Sequence, residues 1–138
     1  WPPGSHASTF GGNPVCSAAA LATIALLRDR LIQNASEVGA HLMAGLRDLA
    51  GRHPIIGDVR GKGLMIGVEL VRDQETKARA TDERDAVVDA AFRRGVLLLG
   101  AGQNSVRFSP PLVLTKAQAD VAIDVFDQAL TEVAPSGA

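Results

Sequence analysis

Proline and glycine cut this chain at a few points, and the stretches between the cuts switch between a helical and a strand period. Asn13-Pro14 reads as a helix start: Asn13 is the N-cap, and Pro14 takes the first helical position, where its missing N–H costs nothing. Val15, Ala18, Ala19, Ala22, Ala25 and Leu26 carry that helix onward, rich in alanine for close packing. Val38, Leu42, Leu46 and Leu49 form one stripe of a second helix over about Leu31 to Leu49. His53-Pro54 ends it, because a residue before proline avoids the α region.

Beyond that point the period shortens. Ile55, Ile56 and Val59 predict a short strand leading into Gly61-Lys62-Gly63, and Leu64 to Val71 alternates as a firmer one. Arg72 to Arg79 is polar and reads as a solvated loop. Thr81 is expected to cap a helix that runs to about Arg94 and stops at Gly95. Val96 to Leu99 and Ser105 to Ser109 read as two further strands, the second closed by Pro110-Pro111. Thr115 with Gln118 makes a capping box for a last helix through Val121, Val125, Phe126 and Ala129, and Pro135 to Ala138 should fray. The order helix, helix, strand, strand, helix, strand, strand, helix defines an α/β chain with one small sheet covered by helices.

A chain of 138 residues can bury roughly two thirds of its unfolded surface, enough for a real core. Its formal charge of -1 supplies no basic field for nucleic acid or an acidic membrane. The stretch Val15 to Leu27 is well short of the roughly 20 residues that cross a bilayer, and it runs into Arg28, Asp29 and Arg30. No basic segment opens the chain as in a secretory signal. Cys16, the single cysteine, excludes an internal disulfide and fits a reducing compartment. With Trp1 in place of a starting methionine, the expectation is a cytoplasmic fragment of a longer protein.

Gly4 to Pro14 offers hydroxyls and N–H groups in a glycine-loosened loop just ahead of a helix, a combination suited to phosphate. Turn geometry alone also favours these residue types. Arg107 lies between Val106 and Phe108, where its planar fork could pair with a carboxylate or simply face water at a sheet edge. Gly57 to Gly63 is one residue short of a P-loop and lacks a hydroxyl after Lys62. Gly61-Lys62-Gly63 precedes its strand, so a dinucleotide fingerprint does not fit either. His6, His41, His53 and Cys16 show no metal-ligand spacing.

Gly4-Ser5-His6-Ala7-Ser8-Thr9-Phe10-Gly11-Gly12-Asn13-Pro14 resembles the segment that follows the catalytic lysine in class III aminotransferases, enzymes dependent on pyridoxal 5'-phosphate (PLP). Val59 to Met65 resembles that family's Arg-Gly-x-Gly turn, and Val106 to Leu112 resembles the segment whose arginine pairs with the substrate carboxylate. The resemblance implies the C-terminal part of a fold type I enzyme. Residues 1–14 would be the cofactor-phosphate loop, 15–50 linking helices, and 51–138 a small α/β domain with a mainly antiparallel sheet. It implies that Thr9 donates its hydroxyl to the PLP phosphate of the neighbouring subunit, with the Ser8 N–H beside it, and that Arg107 binds substrate. No position here matches the family's lysine: Lys62, Lys77 and Lys116 lie in a turn, a polar loop and a helix start, so the chain alone should be inactive. The implied reaction moves an amino group from an ω-amino acid, such as 4-aminobutyrate or acetylornithine, to a 2-oxo acid in a homodimer or higher oligomer of the full-length chain. A related aminomutase or decarboxylase, or a non-catalytic dimerisation or regulatory module of the same fold, would carry the same motifs.

Overall fold

The computed structural model describes residues 1–134, so the expectation for Pro135 to Ala138 lies outside the described residues. The chain divides into two compact units that meet at Ile32 and Gln33. The first holds an N-terminal loop, helix α1 (Pro14–Leu26) and a π-helical turn at Leu27–Leu31. Asn13 caps α1 as expected, its side-chain oxygen accepting from the N–H groups of Val15 and Cys16. None of the residues of α1 is buried.

The second unit is an α/β layer. Helix α2 (Ile32–Arg52) is followed by strands β1 (Ile56–Lys62) and β2 (Met65–Leu70), helix α3 (Thr81–Arg93), strands β3 (Leu99–Ala101) and β4 (Ser105–Phe108), and helix α4 (Lys116–Val133). The sheet has the order β1-β2-β4-β3 and every pairing is antiparallel. Lys62 pairs with Met65, so Gly63 and Leu64 make a two-residue turn, and Gly63 takes the positive φ of 57° that such hairpins require.

Strand alternation buries one face only. Val59, Ile66, Val68, Leu70, Val106 and Phe108 pack into a core with Leu42, Leu46 and Leu49 of α2, Val87 and Ala91 of α3, and Val125, Phe126 and Leu130 of α4. Phe108 and Phe126 meet edge to face at 5.2 Å. The opposite face, with Asp58, Arg60, Lys62, Met65, Gly67, Glu69, Ser105 and Arg107, is not covered by these helices.

Two expectations need correction. Val96 to Leu99 is not a strand: pairing begins at Leu99 and runs to Ala101, while Leu98 is buried in the core. The apolar run serves packing, and the ladder falls on the less apolar residues after it. Thr81 is not a cap but the first helical residue; Ala80 is the N-cap, without a side-chain hydrogen bond. Thr115 and Gln118 do form the capping box.

Candidate functional site

The N-terminal loop folds through short local turns. The Ser5 N–H and hydroxyl both donate to the Pro2 carbonyl, Gly11 N–H donates to Ser8 O at 3.2 Å, and Asn13 N–H to Phe10 O at 3.1 Å. Trp1 stacks on His6 with ring centroids 4.0 Å apart. Asn13 already satisfies the first amides of α1, at 3.0 Å from Val15 N and 3.2 Å from Cys16 N. Donors for an anion must therefore come from the loop. The Ser8 and Thr9 hydroxyls and N–H groups have no hydrogen-bond partner among the described residues, and both residues are exposed. Four unpaired donors on adjacent residues match the chemistry of a phosphate group.

In the second unit Arg107 stands on the open face of β4. Its cross-strand neighbours are Gly67 on β2 and Leu99 on β3. The guanidinium makes no hydrogen bond or ion pair among the described residues. Arg60, opposite Gly67 on the far side, is held at 2.8 Å from Asp58 Oδ2 and 3.0 Å from Glu69 Oε2, and these hydrogen bonds raise its pKa above the ordinary value. Asn104, buried at the β3–β4 turn, donates to Leu70 O at 2.7 Å and reaches Glu69 Oε1 at 3.3 Å, fixing the end of this cluster. Of the two arginines flanking Gly67, one is neutralised and the other is free to take a carboxylate.

Arg107 borders two concavities. One, of about 300 Å³, lies over Gly67 between Arg60 and Arg107. The other, of about 370 Å³, is mainly apolar and runs along Leu97, Leu99, Pro110 and Pro111. Asn34 of α2 pins the segment beyond the prolines by donating to the carbonyls of Leu112 and Leu114. Arg60, Gly67 and Leu99 were not legible as companions of Arg107 in the sequence. Pairing outward from the Gly63 turn would have placed Arg60 opposite Gly67, but nothing local announces the β2–β4 register.

Lys62 and Lys116 are exposed, and exposed Lys77 spends its ammonium on Gln74 Oε1 at 2.8 Å. None has the desolvated setting of a lysine nucleophile. No group of histidine, cysteine or carboxylate side chains suited to a metal occurs among the described residues, and none of their helices is long and apolar enough to cross a membrane.

A model of the class-III aminotransferase family matches residues 1–130, and the chain belongs to that family. It is 43% identical to a leucine/methionine racemase of Thermococcus litoralis, over 96% of this chain and 30% of that protein. It is 42% identical to an acetylornithine aminotransferase of Thermosynechococcus vestitus, over 96% of this chain and 31% of that protein. Among solved structures, an amine transaminase from an uncultivated Pseudomonas species in its PLP-bound form superimposes with a TM-score of 0.85 at 37% identity, covering 93% of this chain and 30% of that one. The fold is that of a fold type I domain with a small antiparallel four-stranded sheet. The chain spans about 30% of the length of these relatives.

Proposed function

We propose that this chain forms the C-terminal part of a PLP-dependent aminotransferase that moves an amino group from an ω-amino acid to a 2-oxo acid. The observation that carries the reading is Arg107, an unpaired guanidinium on an open sheet face between Gly67 and Leu99. A planar fork so placed accepts a carboxylate through two parallel hydrogen bonds and fixes the direction in which the substrate points. Thr9 would give its hydroxyl, and Ser8 its N–H, to the cofactor phosphate of a neighbouring subunit. When bound, PLP supplies an electron sink for bonds at the amino-bearing carbon.

The chain alone should not turn over, for want of a suitably placed lysine. The complete enzyme would work as a homodimer in the cytoplasm, where Cys16 stays a thiol. A screen of amino donors against pyruvate and 2-oxoglutarate with the complete enzyme tests the reading; transfer to neither acceptor overturns it.

A second reading is isomerisation of an apolar α-amino acid, the class acted on by the racemase relative. It is favoured by Leu99, 51% exposed directly beside Arg107, and by the apolar groove that both border. Incubating the complete enzyme with L-leucine and no 2-oxo acid, then resolving enantiomers by chiral chromatography, separates the two. Accumulation of the D-form would favour the second.

A further inference from the structure

We infer that Gly67 is a specificity-determining residue: the space over it, between Arg60 and Arg107, receives the carboxylate end of the substrate. The inference rests on the reading of Arg107 given above. Strands β1, β2 and β3 contain four glycines, and at three of them an added Cβ would force a neighbour to move, at Gly100 only the end of a flexible arginine. A Cβ at Gly57 would lie 2.7 Å from the Val71 side chain, at Gly61 2.3 Å from Met65 O, and at Gly100 2.4 Å from the Arg84 guanidinium. At Gly67 an added Cβ would meet nothing nearer than Arg60 O at 4.0 Å, and the backbone has no positive φ there. Neither space nor conformation asks for glycine.

An interior strand is a poor place to spend one, because glycine weakens a strand unless something approaches it closely. Here the approach is from outside. Gly67 is the direct cross-strand partner of Arg107, so the Cβ of a side chain at 67 would face the Cβ of Arg107 at the spacing of an ordinary cross-strand pair and take up part of the space beside it. Arg60 reaches to Asp58 and Glu69, which leaves the space open and Arg107 its unneutralised charge. A concavity of about 300 Å³ remains, at the small end of ligand-sized sites.

The test uses the complete enzyme and whichever of 4-aminobutyrate, N-acetylornithine and alanine the wild type uses best. Gly67→Ala, Gly67→Val and Arg107→Ala are compared by steady-state kinetics and thermal unfolding. Gly67→Val should raise KM by about tenfold or more while kcat changes less, with Gly67→Ala between it and wild type. Both glycine variants should melt at or above the wild-type temperature. An unchanged KM in Gly67→Val with Arg107→Ala impaired overturns the role of Gly67 and leaves Arg107 standing. Unchanged kinetics in all three variants overturns both. A fall in melting temperature for Gly67→Ala shows that the fold needs the glycine, which also overturns the inference.

Discussion

Gly39 of α2 lies directly against Gly63 in the β1–β2 turn: a Cβ built on Gly39 would stand 2.3 Å from both the carbonyl carbon and the oxygen of Gly63. The helix and hairpin touch backbone to backbone at this point. Gly63 cannot yield easily, since it holds the positive φ of the turn.

Gly39→Ala should therefore destabilise the chain by about 2–3 kcal/mol although alanine is the better helix former, because backbone atoms have nowhere to go. Gly51, in the same helix, has nothing within 4 Å of an added Cβ. Gly51→Ala should stabilise by about 0.5–1 kcal/mol. Urea titration of both variants checks the contrast. Equal effects would mean that α2 and the turn are not in backbone-to-backbone contact.

A pH dependence follows from the end of α2. His53, buried, places Nε2 2.5 Å from Asp127 Oδ1, and Arg52 donates to Oδ2 at 2.9 Å. A carboxylate can only accept, so Nε2 carries the proton, leaving buried Nδ1 without a partner. Burial pushes the Asp127 carboxyl up, but the hydrogen bonds from His53 and Arg52 outweigh it, and the net shift is below the usual 3.8. The unfolded chain takes up this proton first as pH falls. The stabilisation is full well above the ordinary carboxyl value of 3.8 and is lost as pH drops through the lower folded value. Asp127→Asn should cost about 1–3 kcal/mol at pH 7, and the gap to wild type should close in the acid range. A gap constant from pH 7 to pH 3 would assign the loss to packing.

How much of this was legible depended on whether the signal was local. Asn13 with Pro14, and Thr115 with Gln118, were readable because a cap and its partners lie within three residues. Val96 to Leu99 misled because an apolar run looks the same whether its residues enter a ladder or only a core; Leu98 does the second. Thr81 misled because a hydroxyl before an acidic first turn looks like a cap, while the chain makes its turn one residue earlier at Ala80. Arg107 was readable as a residue, but its setting was not. That it stands between Gly67 and Leu99, with Arg60 withdrawn into an ion-pair cluster, depends on a β2–β4 register set by tertiary packing.

In the loop, Thr9→Ala in the complete enzyme should weaken PLP retention roughly ten- to hundredfold, the scale of one hydrogen bond to a charged group. Substrate preference should change little. Thr9→Ser, which keeps the hydroxyl, should restore most of the affinity. Cofactor titration of the variants is the measurement, and unchanged affinity in Thr9→Ala removes Thr9 from the site.

The 138-residue chain by itself should neither turn over amino donors nor link PLP at one position, because Lys62, Lys77 and Lys116 are all exposed. Treatment with PLP, reduction by borohydride and mass spectrometry should show at most scattered, substoichiometric labelling. A stoichiometric adduct on a single lysine would contradict this.

The central claim is that Arg107 binds the substrate carboxylate, and one comparison tests it most directly. kcat/KM is measured in the complete enzyme for an ω-amino acid and for the alkylamine that lacks its carboxylate, in wild type, Arg107→Ala and Arg107→Lys. Truncation of a buried charge pair costs about 2–5 kcal/mol, so Arg107→Ala should lower kcat/KM for the amino acid by at least roughly thirtyfold. The alkylamine, which never used the contact, should lose far less. Arg107→Lys should recover only part of the loss, since a point charge cannot reproduce the two parallel hydrogen bonds of the fork. Equal losses on the two donors would contradict the account and make Arg107 a structural residue of β4.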